Sequence, residues 1–143
     1  MRTIIISAIL FFFFLQAFGQ LPDNNTVLLS QKDEHGNSYS ACWGYTAPNG
    51  REYAILGCNT GTAFIDITDT ANIHEVDFVT GVTSGWREMK VFSNYAYVVS
   101  EGTNSRLQII NLQYLPDSVS LVNTFAYGSY TKTHSISQSG PYI

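Results

Sequence analysis

The chain has 143 residues, a formal net charge of −4, 45% hydrophobic residues and only 13% charged ones. That length allows one domain or a piece of one. So few charges exclude a Glu- and Lys-rich coiled coil, a 14% aromatic share excludes an acidic disordered tail, and scattered Lys and Arg argue against a nucleic-acid partner.

The N-terminus carries an export signal. Arg2 supplies a positive start, residues 4–15 form an apolar block, and Gln16-Ala17-Phe18-Gly19 places small residues at the −3 and −1 positions. Cleavage is expected between Gly19 and Gln20, giving a signal peptide over 1–19. The apolar block is shorter than the ~20 residues a membrane helix needs. No other segment is long and apolar enough to cross, so no membrane span is expected in the mature chain. Residues 20–40 are polar and read as an extended lead-in with one short strand over 26–30; Asn24-Asn25-Thr26 fits a glycosylation sequon.

Export implies an oxidising compartment, so Cys42 and Cys58 can form a disulfide. Ala47-Pro48-Asn49-Gly50 between them is a hairpin turn signal. With Asn49 and Gly50 as turn residues, Pro48 faces Arg51 and Cys42 falls opposite Gly57, beside Cys58. A one-residue bulge would make the cysteines direct partners; two small buried thiols are the alternative reading. Neither cysteine has the neighbours of a metal or redox site.

Short apolar runs then alternate with turn residues. The runs are 53–56, 63–67, 76–79, 89–92, 96–99, 107–112 and 119–126, separated by Gly, Asn, Asp, Ser and Pro. Their spacing and β-branched and aromatic content predict an all-β protein. The runs repeat at offsets of 43 to 45 residues. Trp43 opens one unit and Trp86 the next; Phe64-Ile65-Asp66-Ile67 matches Ile109-Ile110-Asn111-Leu112. Tyr53-Ala54-Ile55-Leu56 matches Tyr97-Val98-Val99-Ser100 or, in a looser register, Tyr95-Ala96-Tyr97-Val98. A third unit is expected to start at His134-Ser135-Ile136 and reach Pro141-Tyr142-Ile143. A four-stranded unit of roughly 40–50 residues is the size of a propeller blade. One blade cannot hide both of its apolar faces, and propellers close with about 4–8 blades. The sequence therefore reads as an incomplete β-propeller, an N-terminal fragment with two blades and the start of a third over 41–143.

These residues resemble a known family. Cys42-Trp43-Gly44-Tyr45, Gly50-Arg51-Glu52-Tyr53-Ala54-Ile55, Gly61-Thr62-Ala63-Phe64-Ile65-Asp66-Ile67-Thr68-Asp69, Trp86-Arg87-Glu88-Met89-Lys90-Val91 and Tyr95-Ala96-Tyr97-Val98-Val99-Ser100-Glu101 together are similar to the choice-of-anchor B family of secreted proteins, which carry LVIVD repeats. The likeness covers nearly all of 38–143. It implies a propeller, export and attachment to the cell surface through a C-terminal region; it implies no catalytic residues. The chain departs from the pattern twice. Asp69-Thr70-Ala71-Asn72-Ile73 lacks the prolines expected after the first motif, and Asn111 stands where the repeat expects Asp.

Three sets of residues are candidates for a site. Arg87 lies in the densest charge cluster, where alternation puts Arg87 and Met89 on one face and Glu88 and Lys90 on the other. Arg87 can bind an anionic ligand or hold neighbouring blades together. His134, at the start of the third unit, can contact a ligand or simply bond backbone at a strand end. Tyr130, with Tyr127 and Tyr142, can stack on a ligand. Asp66, Thr68, Asp69 and Asn72 read either as a calcium loop or, more commonly, as a turn whose side chains satisfy backbone groups. No Gly-x-Ser-x-Gly elbow, phosphate loop, dinucleotide fingerprint or zinc spacing is present, so no cofactor or metal is expected. The expected function is a non-catalytic binding or adhesion module for an extracellular ligand, glycan or protein; the alternative is a secreted hydrolase or lyase acting on glycan.

Overall fold

The computed structural model describes residues 26–36 and 38–143. The signal segment, its cleavage point at Gly19 and Gln20, and Asn24 of the sequon lie outside the described residues. The described residues are all-β, with no helix, and so none long and apolar enough to cross a membrane.

Eight strands follow in order: β1 Tyr39–Thr46, β2 Glu52–Cys58, β3 Gly61–Asp66, β4 His74–Thr80, β5 Arg87–Phe92, β6 Tyr95–Ser100, β7 Leu107–Asn111 and β8 Ser120–Phe125. They form two antiparallel four-stranded meanders, β1-β2-β3-β4 and β5-β6-β7-β8. Each apolar run found in the sequence lies in or overlaps one of the strands β2 to β8. The lead-in is read differently. Residues 26–30 form no strand, and Val27, Leu28 and Leu29 stand exposed. A lone apolar run becomes a strand only where a neighbour pairs with its backbone. The third unit is also not formed as strands: residues 134–136 are irregular, and only a bridge joins Ser139 to Tyr142.

The β1–β2 turn is wider than the sequence suggested. Thr46 pairs with Glu52, and the loop closes through Ala47 N donating to Arg51 O at 2.8 Å and Gly50 N donating to Ala47 O at 2.9 Å. Gly50 takes φ 82°, a left-handed conformation that glycine adopts without steric cost. Pro48 therefore does not face Arg51, and Cys42 pairs with Leu56 rather than Gly57. A bulge does occur, but between Tyr39 and Cys42, and it sets Tyr39 against Cys58. Both thiols are free in this structure, Cys42 exposed and Cys58 buried.

Strand pairing also sets how the two sheets compare. Tyr53 pairs with Asp66, and Tyr95 with Asn111, so pairing matches the two sheets in the looser of the two registers. Trp43 pairs with Ile55 where Lys90 pairs with Tyr97; Trp43 thus corresponds to Lys90, and Trp86 precedes β5. The Asp-to-Asn departure is explained by the turns. Asp66 Oδ1 accepts from Thr68 N at 2.9 Å, and Asn111 Oδ1 accepts from Gln113 N at 3.0 Å. Either side chain caps the amide two residues on.

The sheets stack with unlike faces. Tyr53, Ile55 and Phe64 of the first sheet pack against Met89, Ala96, Val98 and Ile110 of the second. The counterparts of Tyr53, Ile55 and Phe64 are Tyr95, Tyr97 and Ile109, which strand alternation puts on the far side of the second sheet. The counterparts of Ala96, Val98 and Ile110 are Ala54, Leu56 and Ile65, which cluster with Cys58, Ala63 and Phe78 on the far side of the first. The packing is head-to-tail, the open-ended relation that repeats.

Candidate functional site

Arg87 sits in the seam between the sheets and is 2% exposed. Its Nε donates to Cys58 O at 3.1 Å and Nη2 to Val82 O at 2.7 Å. Among the described residues no carboxylate pairs with it, and burial pushes the guanidinium below its ordinary value. Ser40 ties the backbone beside it: Ser40 Oγ accepts from Arg87 N at 3.0 Å and donates to Arg87 O at 2.9 Å. Two glycines allow this approach. A Cβ on Gly57 would lie 2.6 Å from Arg87 O, and one on Gly81 would lie 2.6 Å from Arg87 Nη1. Of the two roles open to Arg87, the contacts are those of a residue joining neighbouring sheets. Alternation placed it correctly with Met89 and away from Glu88 and Lys90.

The meander brings one set of loops to this end: the β2–β3 turn, residues 81–86, residues 101–106 and residues 127–137. They are stitched by Gly81 N to Thr60 O at 2.8 Å, Arg106 N to Thr131 O at 3.0 Å and Thr133 N to Ser100 O at 3.1 Å. Here His134 stacks on Trp86, with ring centroids 4.7 Å apart and planes 6° from parallel. His134 Nδ1 lies 2.8 Å from Glu101 Oε1, while Trp86 Nε1 is buried with no partner. His134 is thus placed by side chains at an exposed loop cluster, not by a strand end. Its neighbours Trp86 and Glu101 were missed, because 33 residues separate Glu101 from His134 in sequence.

Tyr130 lines a groove of about 330 Å³ beside this cluster, with Val99, Leu107, Phe125, Ile136 and Ile143. Tyr127 and Tyr142 do not join it and stand 80% and 78% exposed. Glu88 lies below its usual carboxylate range. Burial opposes the charge, but hydrogen bonds from Lys90, Ser135 and Ile136 outweigh it. Arg87 is enclosed on the buried side of β5, so the structure brings His134 to Tyr130's end of the molecule but not Arg87 into their open surface.

The acidic turn after β3 serves itself. Asp69 accepts from Ala71 N at 3.0 Å and Asn72 Nδ2 at 2.7 Å. Asp66, 2% exposed, is held by Arg51 through Nε at 2.9 Å and Nη2 at 2.6 Å. Burial alone would raise the Asp66 carboxyl, but hydrogen bonds from Thr68 and Arg51 bring it below the usual range. Elsewhere His35 stacks on Phe78 at 4.2 Å and meets Glu75 at 2.5 Å, tying the lead-in to the far side of the first sheet.

No family pattern, curated protein or solved structure matches the chain.

Proposed function

We propose that the chain belongs to an exported, cell-surface-attached β-propeller of the choice-of-anchor B type, which acts as a non-catalytic module for an extracellular glycan or protein. One observation carries this reading: the two meanders stack with unlike faces, each leaving outward the face that its neighbour covers. A sandwich of duplicated sheets would bury like against like. Head-to-tail stacking instead supports a ring of blades, which fixes loops rigidly at its ends. The stacked Trp86 and His134, with Glu101 behind and Tyr130 beside, form the loop-end surface offered to a ligand.

The test is to incubate the secreted protein with extracellular polysaccharides and follow both retention and product. Retention without new reducing ends or unsaturated sugars is the expected result. Steady release of either product overturns the non-catalytic reading in favour of a glycan hydrolase or lyase. N-terminal sequencing should give Gln20; a mature chain starting at Met1 overturns export.

A further inference from the structure

The opposite end of the two sheets carries a cleft unlike the His134 surface. The loop 47–51, the β5–β6 turn and residues 112–115 meet there around two adjoining hollows of about 260 and 570 Å³. Both hollows are lined by Tyr45, Pro48, Asn94 and Gln113. Ala47, Asn49, Leu112 and Leu115 complete the first, and Thr46 and Ser93 the second. The larger hollow is within the roughly 300–1,000 Å³ typical of small-molecule sites.

The lining has a particular chemistry. It combines an aromatic ring and the apolar side chains of Ala47, Pro48, Leu112 and Leu115 with amides and hydroxyls, and it has no charged side chain. An amide offers a donor and an acceptor side by side, which suits a hydroxyl that must both give and take. A charged ligand would enter this cleft with no counter-ion and be desolvated without compensation. An apolar ligand would leave the amides unpaired.

The amides are held in advance. Asn94 Nδ2 donates to Asn111 Oδ1 at 3.0 Å, and Ser93 Oγ donates to Asn94 Oδ1 at 3.2 Å. Asn49 Oδ1 accepts from Arg51 N at 3.1 Å, and Gln113 Oε1 accepts from Asn111 Nδ2 at 3.5 Å. These bonds hold Asn49 and Gln113 through their carbonyls and Asn94 through both its nitrogen and its oxygen, and each carbonyl keeps a second lone pair for a hydroxyl. Among the described residues, Asn49 Nδ2 and Gln113 Nε2 have no protein partner. Tyr45 is half-buried against Tyr53, with ring centroids 6.2 Å apart, so its ring is fixed as a wall.

We infer that this cleft between the first two sheets binds a neutral sugar, the Tyr45 ring packing on the C–H face of a pyranose while Asn49, Asn94 and Gln113 bond its hydroxyls. The site joins residues from both sheets, so it exists only once they are stacked.

The experiment titrates the full secreted protein with methyl α-mannoside, methyl β-glucoside and N-acetylglucosamine, with glucuronate as the charged control, by ligand-observed NMR. Saturable binding of at least one neutral sugar, with glucuronate weaker, is expected. Tyr45→Ala should weaken binding about tenfold, as loss of one stacking face does. Gln113→Ala and Asn49→Ala change exposed side chains, so they keep the fold and should also weaken binding. The inference is overturned if no neutral sugar binds, or if both exposed variants bind like the parent. It is equally overturned if Trp86→Ala abolishes binding while Tyr45→Ala, shown folded by circular dichroism, leaves it intact. That last result would still favour the binding role at the other end.

Discussion

Among the described residues Arg87 has no carboxylate partner, and main-chain carbonyls carry its charge-assisted bonds. Replacing it with Ala strands the carbonyl of buried Cys58, removes the partner of Val82 O and opens a cavity. The expected cost is about 3 kcal/mol or more, read as a lower denaturant midpoint. Gly57→Ala forces a Cβ onto Arg87 O and should cost about 1–3 kcal/mol in the same assay. The thiols offer a separate check. Cys58 is buried, and burial pushes its thiol up, whereas Cys42 is exposed. Alkylation without reductant should label Cys42 at once and Cys58 only on unfolding; a mass lower by two hydrogens and no labelling would instead mean a disulfide. Acid acts through Asp66 and Glu88. Both carboxyls lie below their usual range in the folded chain, so their contribution is present above the unfolded values of about 3.9 and 4.3. It is lost as pH falls through the lower folded values. Thermal stability should hold from pH 7 to about pH 5 and decline below that. Asp66→Asn should flatten part of that decline and lower stability at neutral pH, because Asn keeps the cap that Asn111 makes but loses the ion pair with Arg51.

At the scale of strands, the chain was legible wherever an apolar run was bounded by turn residues. β2 to β8 follow from that pattern because each run has a sequence neighbour to pair with. β1 was only partly visible: Tyr39–Thr46 contains Ser, Cys, Gly and Thr, and Cys42 and Gly44 are exposed. The run at 26–30 misled for the opposite reason, being apolar but unpaired. Trp43 and Trp86 look like markers of one repeat position. Pairing decides such equivalences, and it puts Lys90 in the place of Trp43, with Lys90 Nζ 4.3 Å from the centre of the Trp43 ring. Alternation identified the face of Arg87 but could not show which carbonyls would meet it, since those lie in another unit. The cleft at Tyr45 and Asn94 was invisible for the same reason: its walls come from three turns that only stacking brings together.

For the whole molecule, head-to-tail stacking leaves the outer face of the second sheet without a sheet upon it. Phe125 of β8, paired with Leu107, is exposed on that face, and residues 127–137 shield only part of it, with Ile136 beside Val99. Residues 20–143 on their own should therefore self-associate with rising concentration in sedimentation velocity. Phe125→Lys should shift the distribution towards monomer. A monodisperse monomer at high concentration would argue that the face is already satisfied.

The carbonyls of Cys58 and Val82 have a further consequence through Arg87. A polypeptide emerging from the ribosome offers its residues in order, and those acceptors stay unfilled until residue 87 has come into reach. Full bonding at this edge of the first sheet therefore waits for the first residue of the second.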